Sequence, residues 1–436
     1  MSRKTDVLVI GSGLAGLFAA LAAANKGAKT KLVFTGQGCL AISGGIIDLL
    51  GYDDAGKRIA DPFAALTSLP EGHPYALAGA DNVKRALEAF REALRAAGLE
   101  YKSAADDGGK PCNVLAPTIM GTLKPTFLYD SLQSPELLPK AKKALVISAK
   151  GFRECRSRLV ISQLRRYPEL EAIDFAEHVL PAPFPEYGRS LSPLDLAHFL
   201  DTEQGLKWAG EKLANLGSGY DLVLLPPILG ARPDSRIRLE AQRLLGAPFV
   251  EMQSTPPGVQ GLRLRRALIK QLEDKKVEFY ENAEAKSAKI ENGSCASVTS
   301  VATNRVVEHA PGAVVLATGG VLSGGLALDQ GSCVEPVFGI PIPVPADVEE
   351  WSSRDVFGRH LISSLGLKTD SSLRPVAEGG EALMDNVFVA GRTLGGYDYA
   401  REKSGAGVAV ATGWLAGENA AAKALENGRK TSGAAE

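Results

Sequence analysis

Val7-Leu8-Val9-Ile10-Gly11-Ser12-Gly13-Leu14-Ala15-Gly16 is the stretch of sequence that determines the fold. Its first four residues form a short apolar run, which predicts a strand buried on both faces of a parallel sheet. A helix rich in alanine and leucine is predicted to follow as far as Lys26, and Lys31–Phe34 is predicted to be the next strand. A strand, a glycine turn, a helix and a second strand within about 30 residues form the context in which Gly-x-Gly-x-x-Gly binds a nucleotide.

The three glycines of this motif have separate roles. Gly11 permits the tight turn, Gly13 lets the backbone approach a pyrophosphate, and Gly16 lets the helix pack closely on the strand. The N–H groups of the first helical turn face the phosphates, together with the positive end of the helix dipole. The residues expected to bind the ligand here are Gly11, Gly13, Leu14, Ala15 and Gly16.

The residue that normally binds the adenosine ribose is missing from this sequence. A carboxylate is expected about 20 residues after the glycines. That place holds Phe34-Thr35-Gly36-Gln37, and no acidic residue occurs before Asp48. The hydroxyl of Thr35 is the candidate ribose contact, and the departure from the standard dinucleotide pattern leaves the identity of the ligand open.

Two later segments repeat the order of apolar strand and glycine. They are Ala313–Gly320 and Asn386–Arg392, and Ser404–Gly407 then begins a C-terminal alanine-rich helix. In an open α/β sheet, ligands bind outside the carboxyl ends of the strands, so we expect these segments to converge on one ligand. The contacts expected from them are Thr318, Gly319, Gly391, Arg392, Gly405, Gly407 and Val408.

The intervening sequence indicates that this nucleotide-binding domain is split. Residues 52–258 contain a predicted helix at Val83–Leu94, a Pro-rich connector at Pro181–Pro185 and a buried strand at Asp221–Leu225. We interpret this region as an inserted domain. The predicted boundaries are 1–51, 259–330 and 381–436 for three parts of the binding domain, 52–258 for the inserted domain and 331–380 for a capping insertion.

Composition excludes several classes of function. The 436 residues contain 49 Lys and Arg against 50 Asp and Glu, without a block of like charges, which argues against a nucleic-acid-binding arm or a polybasic membrane patch. No apolar run is long enough to span a membrane. The five cysteines are far apart and form no Cys-x-x-Cys, so we expect no metal site. The N-terminus lacks an apolar signal core, and we expect a cytoplasmic protein.

The Gly-x-Gly-x-x-Gly turn, the Val-Val-Leu-Ala-Thr-Gly-Gly of residues 314–320 and the Asn-Val-Phe-Val-Ala-Gly of residues 386–391 together resemble the fumarate-reductase-like flavoprotein superfamily. This resemblance implies an α/β fold, with a Rossmann-like, three-layer flavin-binding domain that is split in sequence. An inserted α+β substrate or capping domain interrupts it.

Further motifs resemble the B-subunit family of anaerobic glycerol-3-phosphate dehydrogenases. These motifs lie in order along nearly the whole chain, at Ile42–Leu50, His73–Tyr75, Met120–Leu123, Pro256–Gly261, Leu322–Leu326, Leu373–Pro375 and Leu394–Asp398. The resemblance implies a flavoprotein that acts with two partners, a catalytic flavoprotein (the A subunit) and a membrane-associated iron–sulfur protein (the C subunit).

This assembly would oxidise sn-glycerol 3-phosphate to dihydroxyacetone phosphate and pass electrons to the quinone pool. The resemblance also implies a location. The chain would be cytoplasmic and peripheral at the inner face of the cytoplasmic membrane, held there by its partners.

The place of the flavin is a further implication of the resemblance. Ser43, Gly44 and Gly45 would line the isoalloxazine, while backbone N–H groups of Thr318–Gly319 and of the helix that begins at Gly405 would contact the cofactor. FMN is the flavin ascribed to the B-subunit family, whereas the glycine turn is suited to a pyrophosphate, which FAD has and FMN lacks. Both flavins remain open on the sequence.

Oxidation of an alcohol by a flavin needs a base for the hydroxyl proton and cations for a substrate phosphate. The catalytic candidates are His73, His360 and Arg392. Arg374, Lys124 and Arg263 are candidates to hold the phosphate, although Arg263 is more simply placed on the solvated face of a helix.

Two other functions stay open on the sequence. The chain could be a self-contained, FAD-dependent oxidoreductase of a small organic acid, as fumarate-reductase relatives are, and a catalytic arginine would favour that interpretation. It could also be a non-catalytic scaffold that keeps the fold without flavin chemistry, and the missing ribose carboxylate gives this alternative some weight. A scaffold without a cofactor would purify colourless, which distinguishes it from both enzymes.

Overall fold

The computed structural model describes residues 3–184, 190–329 and 331–433, which form two compact units. The first unit comprises Met1–Gly38, Leu49–Ala93 and Leu268–Glu436, and the second comprises Cys39–Asp48 and Leu94–Ala267. The first unit is therefore discontinuous in sequence. The finer boundaries inferred from the sequence stay a prediction.

The strands of the described residues are β1 (Arg3–Ile10), β2 (Thr30–Phe34), β3 (Tyr101–Lys102), β4 (Ala104–Ala105), β5 (Pro111–Cys112), β6 (Val114–Pro117), β7 (Leu123–Thr126), β8 (Tyr129–Asp130), β9 (Lys143–Ala149), β10 (Asp174–Leu180), β11 (Leu222–Leu225), β12 (Phe249–Glu251), β13 (Glu278–Glu281), β14 (Glu284–Glu291), β15 (Ser294–Ala302), β16 (Arg305–Leu316), β17 (Ala327–Asp329), β18 (Ser332–Glu335), β19 (Ile340–Ile342) and β20 (Val387–Val389). The α-helices of the same residues are α1 (Leu14–Asn25), α2 (Pro62–Leu66), α3 (Pro74–Ala78), α4 (Ala80–Ala96), α5 (Ser157–Leu164), α6 (Pro193–Leu200), α7 (Glu203–Lys212), α8 (Arg236–Leu245), α9 (Val259–Asp274), α10 (Tyr399–Glu402) and α11 (Gly405–Gly433).

The first unit is built on a sheet whose central strands are parallel. The order is β13-β2-β1-β16-β15-β14, and β20 pairs with β16. Strands β13, β2, β1, β16 and β20 run parallel, and β15 and β14 continue the sheet as antiparallel strands. Val7–Ile10 are at most 3% exposed, as expected for a strand covered on both faces. The α/β fold with a parallel sheet that the sequence predicted is confirmed.

Helices α1 and α11 pack tightly on one another within this unit. Helix α1 is alanine-rich, and its residues from Ala15 to Ala23 are buried. Gly413 allows the close approach, because a Cβ atom there would lie 2.6 Å from the carbonyl oxygen of Ala15. The rings of Phe18 and Trp414 lie 5.1 Å apart between the same two helices.

The second unit contains its own parallel sheet, with the order β10-β9-β11-β12. Numbered along the chain, these strands are arranged second, first, third, fourth, which is a doubly wound order. Of these strands, the sequence predicted β11 alone. Short antiparallel pairs accompany the sheet: β3 with β8, β4 with β5, and β6 with β7.

Among the described residues, every helix is too short or too polar to cross a membrane.

Candidate functional site

The carboxyl ends of three parallel strands lie side by side in the first unit. In the registers of the sheet, Ile10 of β1 pairs with Leu316 of β16, and Leu316 pairs with Val389 of β20. The glycine turn that follows β1, Thr318–Gly319 and Gly391 therefore meet at one edge of the sheet. This is the edge where open α/β sheets bind ligands.

The glycine turn contains two glycines that the fold requires and one that it does not. Gly11 has φ +108°, and a Cβ atom on it would overlap the carbonyl oxygen of Ala317. A Cβ atom on Gly16 would overlap the carbonyl oxygen of Gly11. At Gly13, in contrast, no heavy atom of the described residues lies within 4 Å of where a Cβ would be. The open side of Gly13, directly before α1, leaves room for a phosphate group at the helix N-terminus and fits a bound dinucleotide.

The loop after β2 lies beside this turn. The hydroxyl of Ser12 donates a hydrogen bond to the carbonyl oxygen of Gly36, so the loop is attached to the turn at the position where a ribose carboxylate would normally stand. Thr35 is exposed there. Its role as the ribose contact stays a prediction.

Two threonines bind the backbone that follows the later strands. Thr393 accepts a hydrogen bond from the N–H of Gly319 at 3.0 Å, and its hydroxyl lies 3.5 Å from that of Thr318. Thr412 of α11 accepts from the N–H of Gly391 at 2.9 Å. Gly391 has φ +67°, and a Cβ atom on it would lie 2.6 Å from Cβ of Ala15. The structure thus brings Thr318, Gly319 and Gly391 to the edge that carries the glycine turn.

Arg392 follows Gly391, and its guanidinium is engaged within the first unit. It donates to the carbonyl oxygens of Leu365 at 3.1 Å and Ile362 at 2.7 Å. Its guanidinium carbon also lies 4.4 Å from the ring centroid of Tyr399, a cation–π distance. These contacts favour a structural role for Arg392, and its catalytic role stays a prediction.

Helix α11 begins with the glycines expected to contact the ligand. Ser404 precedes it, and its carbonyl oxygen accepts a hydrogen bond from the N–H of Val408 at 2.9 Å. Gly405, Gly407 and Val408 form the first turn, whose N–H groups carry the positive end of the helix dipole.

His73 is buried close to the start of this helix. A Cβ atom on Gly396 would overlap the carbonyl oxygen of Gly72, so the motif at Leu394–Asp398 packs directly on the motif that contains His73. The ring of His73 lies between those of Tyr75, at 5.3 Å, and Tyr397, at 5.8 Å. Its Nε2 lies 3.1 Å from the carboxylate of Glu402, a residue that the sequence did not single out. The only feature of the sequence that pointed to Glu402 was its position, three residues before Gly405.

His360 lies in an exposed loop of the first unit. Its Nδ1 is 2.9 Å from the hydroxyl of Ser352, and its Nε2 donates to the carbonyl oxygen of Val356 at 3.1 Å. Both ring nitrogens therefore close the loop of residues 352–360. Its role as a base stays a prediction.

Ser43, Gly44 and Gly45 belong to the second unit, where side chains hold their backbone. Gln133 donates to the carbonyl oxygen of Gly44 at 3.0 Å, and the buried hydroxyl of Tyr101 donates to that of Gly45. Burial raises the pKa of Tyr101, which keeps this hydroxyl a donor.

The same loop packs on a second motif of the sequence. The N–H of Gly261 donates to the carbonyl oxygen of Ser43 at 3.1 Å, and a Cβ atom on Gly258 would overlap that oxygen. The motifs at Ile42–Leu50 and Pro256–Gly261, which are far apart in sequence, thus meet within one unit. That Ser43–Gly45 line the isoalloxazine stays a prediction.

The three candidate phosphate anchors are all ion-paired. Lys124 Nζ lies 3.1 Å from Asp48, and the Arg374 guanidinium lies 2.8 Å from Asp370. The predicted solvated position of Arg263 is wrong, because this arginine is 1% exposed and paired with Glu251 at 2.9 Å. Of the described residues, no group of three or more His, Cys, Asp or Glu is arranged to hold a metal ion.

The family model described as an FAD binding domain matches residues 6–408 of this chain. Of the two flavins left open by the sequence, it indicates FAD, whose pyrophosphate suits the open side of Gly13. The chain is therefore a flavin-binding protein.

Curated relatives extend over nearly the whole chain, and each is the B subunit of an anaerobic glycerol-3-phosphate dehydrogenase. The one from Halobacterium salinarum, whose name carries the word probable, is 33% identical, over 98% of this chain and 100% of that protein. The one from Vibrio vulnificus is 29% identical, over 95% of this chain and 96% of that protein. The one from Aliivibrio fischeri is 30% identical, over 95% of this chain and 94% of that protein. The chain therefore belongs to the FAD binding domain family and, within it, to the B-subunit family of anaerobic glycerol-3-phosphate dehydrogenases.

Proposed function

We propose that this chain is the flavoprotein component of an enzyme that oxidises sn-glycerol 3-phosphate to dihydroxyacetone phosphate and delivers the electrons to the quinone pool. The observation that carries the proposal is the 33% identity to a probable B subunit of anaerobic glycerol-3-phosphate dehydrogenase, which extends over 98% of this chain and all of that protein. The glycine turn and the converging strand ends of the first unit support it, because they fit the cofactor that such a dehydrogenase needs.

The reaction removes two electrons and two protons from a secondary alcohol, and FAD supplies an acceptor for the two electrons when it is bound. The chain's own contribution is to hold this cofactor. The turn at Gly11–Gly16 and the N-terminus of α1 would bind the pyrophosphate. The N-terminus of α11 would favour negative charge on the ring system through its dipole.

We further propose that this chain relays electrons and that glycerol 3-phosphate binds on the catalytic flavoprotein partner. The charges of Lys124, Arg263 and Arg374 are already neutralised by carboxylates at 2.8–3.1 Å, which disfavours them as phosphate anchors. Arg392, the arginine that a self-contained organic-acid oxidoreductase would use, is bonded to two carbonyl oxygens.

The electrons would leave through the iron–sulfur partner, since the cysteines of this chain form no Cys-x-x-Cys. Peripheral attachment to the inner face of the cytoplasmic membrane would follow from this partner, which is the membrane-associated one.

The test is an anaerobic titration of the purified, flavin-loaded chain with glycerol 3-phosphate, with and without the catalytic flavoprotein partner. We expect the visible flavin absorbance of this chain to bleach only when the partner is present. Bleaching by the substrate alone would place alcohol oxidation on this chain and overturn the relay. A flavin that does not bleach in either mixture, but is reoxidised by a small organic acid after chemical reduction, would support the self-contained oxidoreductase instead.

Two variants sharpen this test. Lys124→Ala and Arg374→Ala are each expected to leave the apparent KM for glycerol 3-phosphate of the assembled enzyme within about twofold of wild type, because both cations are already paired with carboxylates of this chain. A large rise in KM with either variant would show that this chain holds the substrate phosphate.

A further inference from the structure

The buried His73 and the partly buried Glu402 form a pair in the first unit that no catalytic step accounts for. The backbone N–H of Tyr75 donates to Nδ1 of His73 at 3.1 Å, so in the neutral ring the proton lies on Nε2. Nε2 in turn lies 3.1 Å from Oε2 of Glu402 and donates to it. His73 is 2% exposed, and both of its ring nitrogens are engaged. This arrangement is that of an orienting histidine rather than of a base with a free lone pair.

Glu402 is the centre of the network. Besides His73, its carboxylate accepts hydrogen bonds from the hydroxyl of Ser404 at 2.9 Å and from the N–H of Asp398 at 2.8 Å. These donors hold the pKa of Glu402 below its usual range, although its burial acts in the opposite direction. The carbonyl oxygen of Glu402 also accepts from the N–H groups of Gly51 and Tyr52. One residue thus joins segments from three distant parts of the first unit.

The network reaches the two residues directly before α11, Lys403 and Ser404. Lys403 has φ +51°, a left-handed conformation that a non-glycine residue adopts only when its surroundings impose it. Ser404, which follows it, is fully buried, and its carbonyl oxygen accepts from the hydroxyl of Tyr75 at 3.2 Å. That carbonyl also receives the first intrahelical hydrogen bond of α11, from Val408. The direction in which α11 begins is therefore set by contacts to Glu402 and Tyr75.

We infer that His73 and Glu402 are positioning residues, which hold the first turn of α11 in place for the flavin. The inference rests on the proposed function, since it takes Gly405, Gly407 and Val408 to be flavin contacts. A helix N-terminus acts on a ligand only within its first turn, so a small displacement of that turn changes both the affinity for the ligand and the stabilisation of negative charge on it. Losing the pair therefore affects the reduced flavin more than the oxidised one.

The experiment uses the full-length chain and compares His73→Ala and His73→Gln with wild type. The readouts are the dissociation constant of FAD, from the recovery of free FAD fluorescence, and the midpoint potential of the bound flavin. We expect His73→Ala to weaken FAD binding by about tenfold and to shift the midpoint potential to a more negative value, because loss of buried hydrogen bonds to a charged group costs that much. His73→Gln keeps one oxygen acceptor and one N–H donor, and we expect it to recover most of both quantities.

The matched control is His178→Ala, a histidine of the second unit on β10, which is expected to match wild type in both readouts. A His73→Ala protein with a lowered melting temperature but unchanged FAD affinity and potential would overturn the inference, since the pair would then serve only the stability of the fold. Should His73→Ala fail to fold, Glu402→Gln tests the same network. The inference then requires that Glu402→Gln bind FAD more weakly than wild type. Failure of wild type itself to bind FAD would refute the proposed function. Equal binding of FAD by wild type and variant would instead refute only the positioning role of the pair.

Discussion

The guanidinium of Arg263 forms a two-pronged ion pair with the carboxylate of Glu251 inside the second unit. Nη1 lies 2.9 Å from Oε2 and Nη2 lies 3.1 Å from Oε1, and both side chains are at most 1% exposed. Arg263 also donates to the carbonyl oxygen of Gly230 at 2.7 Å, while Glu251 accepts from the N–H of Leu229 at 3.0 Å. The pair thereby joins the start of α9 to the end of β12 and to the loop that follows β11.

We predict that breaking this pair on one side destabilises the second unit strongly. Arg263→Leu removes the hydrogen-bonded arginine partner of the buried carboxylate of Glu251, which is expected to lower the free energy of unfolding by about 3–5 kcal/mol. Urea denaturation followed by circular dichroism measures this loss. Arg243→Leu is the control, because that arginine is exposed and pairs with Glu240 on the surface of α8. Equal effects of the two substitutions would contradict the structural role of the buried pair.

Substitutions in the glycine turn separate folding from cofactor binding. Gly16→Ala is expected to impair folding, because the new Cβ would overlap the carbonyl oxygen of Gly11. Gly13→Ala is expected to fold with a melting temperature lowered by no more than about 4 °C, since a methyl group there meets no described atom and alanine in place of an N-cap glycine costs about 1 kcal/mol. FAD binding by Gly13→Ala is nevertheless expected to fall at least about tenfold, because the methyl group occupies the side open to a phosphate.

Thermal unfolding and FAD titration of the two variants check this expectation. Normal FAD affinity in a well-folded Gly13→Ala protein would show that the pyrophosphate does not lie against this turn.

The lowered pKa of Glu402 predicts how stability depends on pH. A carboxyl group whose pKa is depressed in the folded state stabilises the fold above its unfolded pKa and loses that contribution as the pH falls through the folded value. Wild type is therefore expected to be more stable than Glu402→Gln at pH 7, and the difference is expected to shrink as the pH falls below about 4. Melting temperatures of both proteins from pH 7 to pH 3 measure it. A difference that grows on acidification would contradict the assigned network.

The buried cysteines should be chemically inert in the folded protein. Burial raises the pKa of Cys155 and of Cys295 to about 12, so little thiolate is present at pH 8. Cys39 is exposed. Treatment with iodoacetamide at pH 8, followed by mass spectrometry, is expected to label Cys39 first and to label Cys155 and Cys295 only after denaturation. Rapid labelling of Cys155 in the native protein would show that the second unit opens readily.

The sequence was sufficient for those parts of the fold that local patterns determine. Val7–Ile10 is a continuous apolar run because β1 is covered on both faces, and Gly11 and Gly16 are required by the backbone contacts around them. Gly16 meets the carbonyl oxygen of Gly11 within the same turn, whereas Gly11 meets that of the distant Ala317. The apolar run and the glycine spacing nevertheless lie in one short stretch, so a single sequence shows the pattern. The full-length relatives then confirm the family that the motifs indicated.

Features that depend on distant residues were not predictable in the same way. The spacing of Arg263 on α9 is equally compatible with a solvated helix face, because its partner Glu251 belongs to β12 and is brought to it only by the folded chain. His73 drew attention as a candidate base, whereas Glu402, 329 residues away, engages the nitrogen that a base would need. Of the sheet β10-β9-β11-β12, only β11 was predicted. Strand β12 is only three residues long, whereas the apolar run in β9 was a local signal that had not been recognised as a strand.

Binding of FAD against the turn at Gly11–Gly16 underlies the other expectations about this chain. The most direct measurement is the absorption spectrum of the purified full-length chain, followed by release of the cofactor and determination of its mass. We expect a flavin spectrum and the mass of FAD. Release of FMN would contradict the fit of the turn to a pyrophosphate, and a chain that stays colourless after incubation with FAD would show that it does not bind this cofactor.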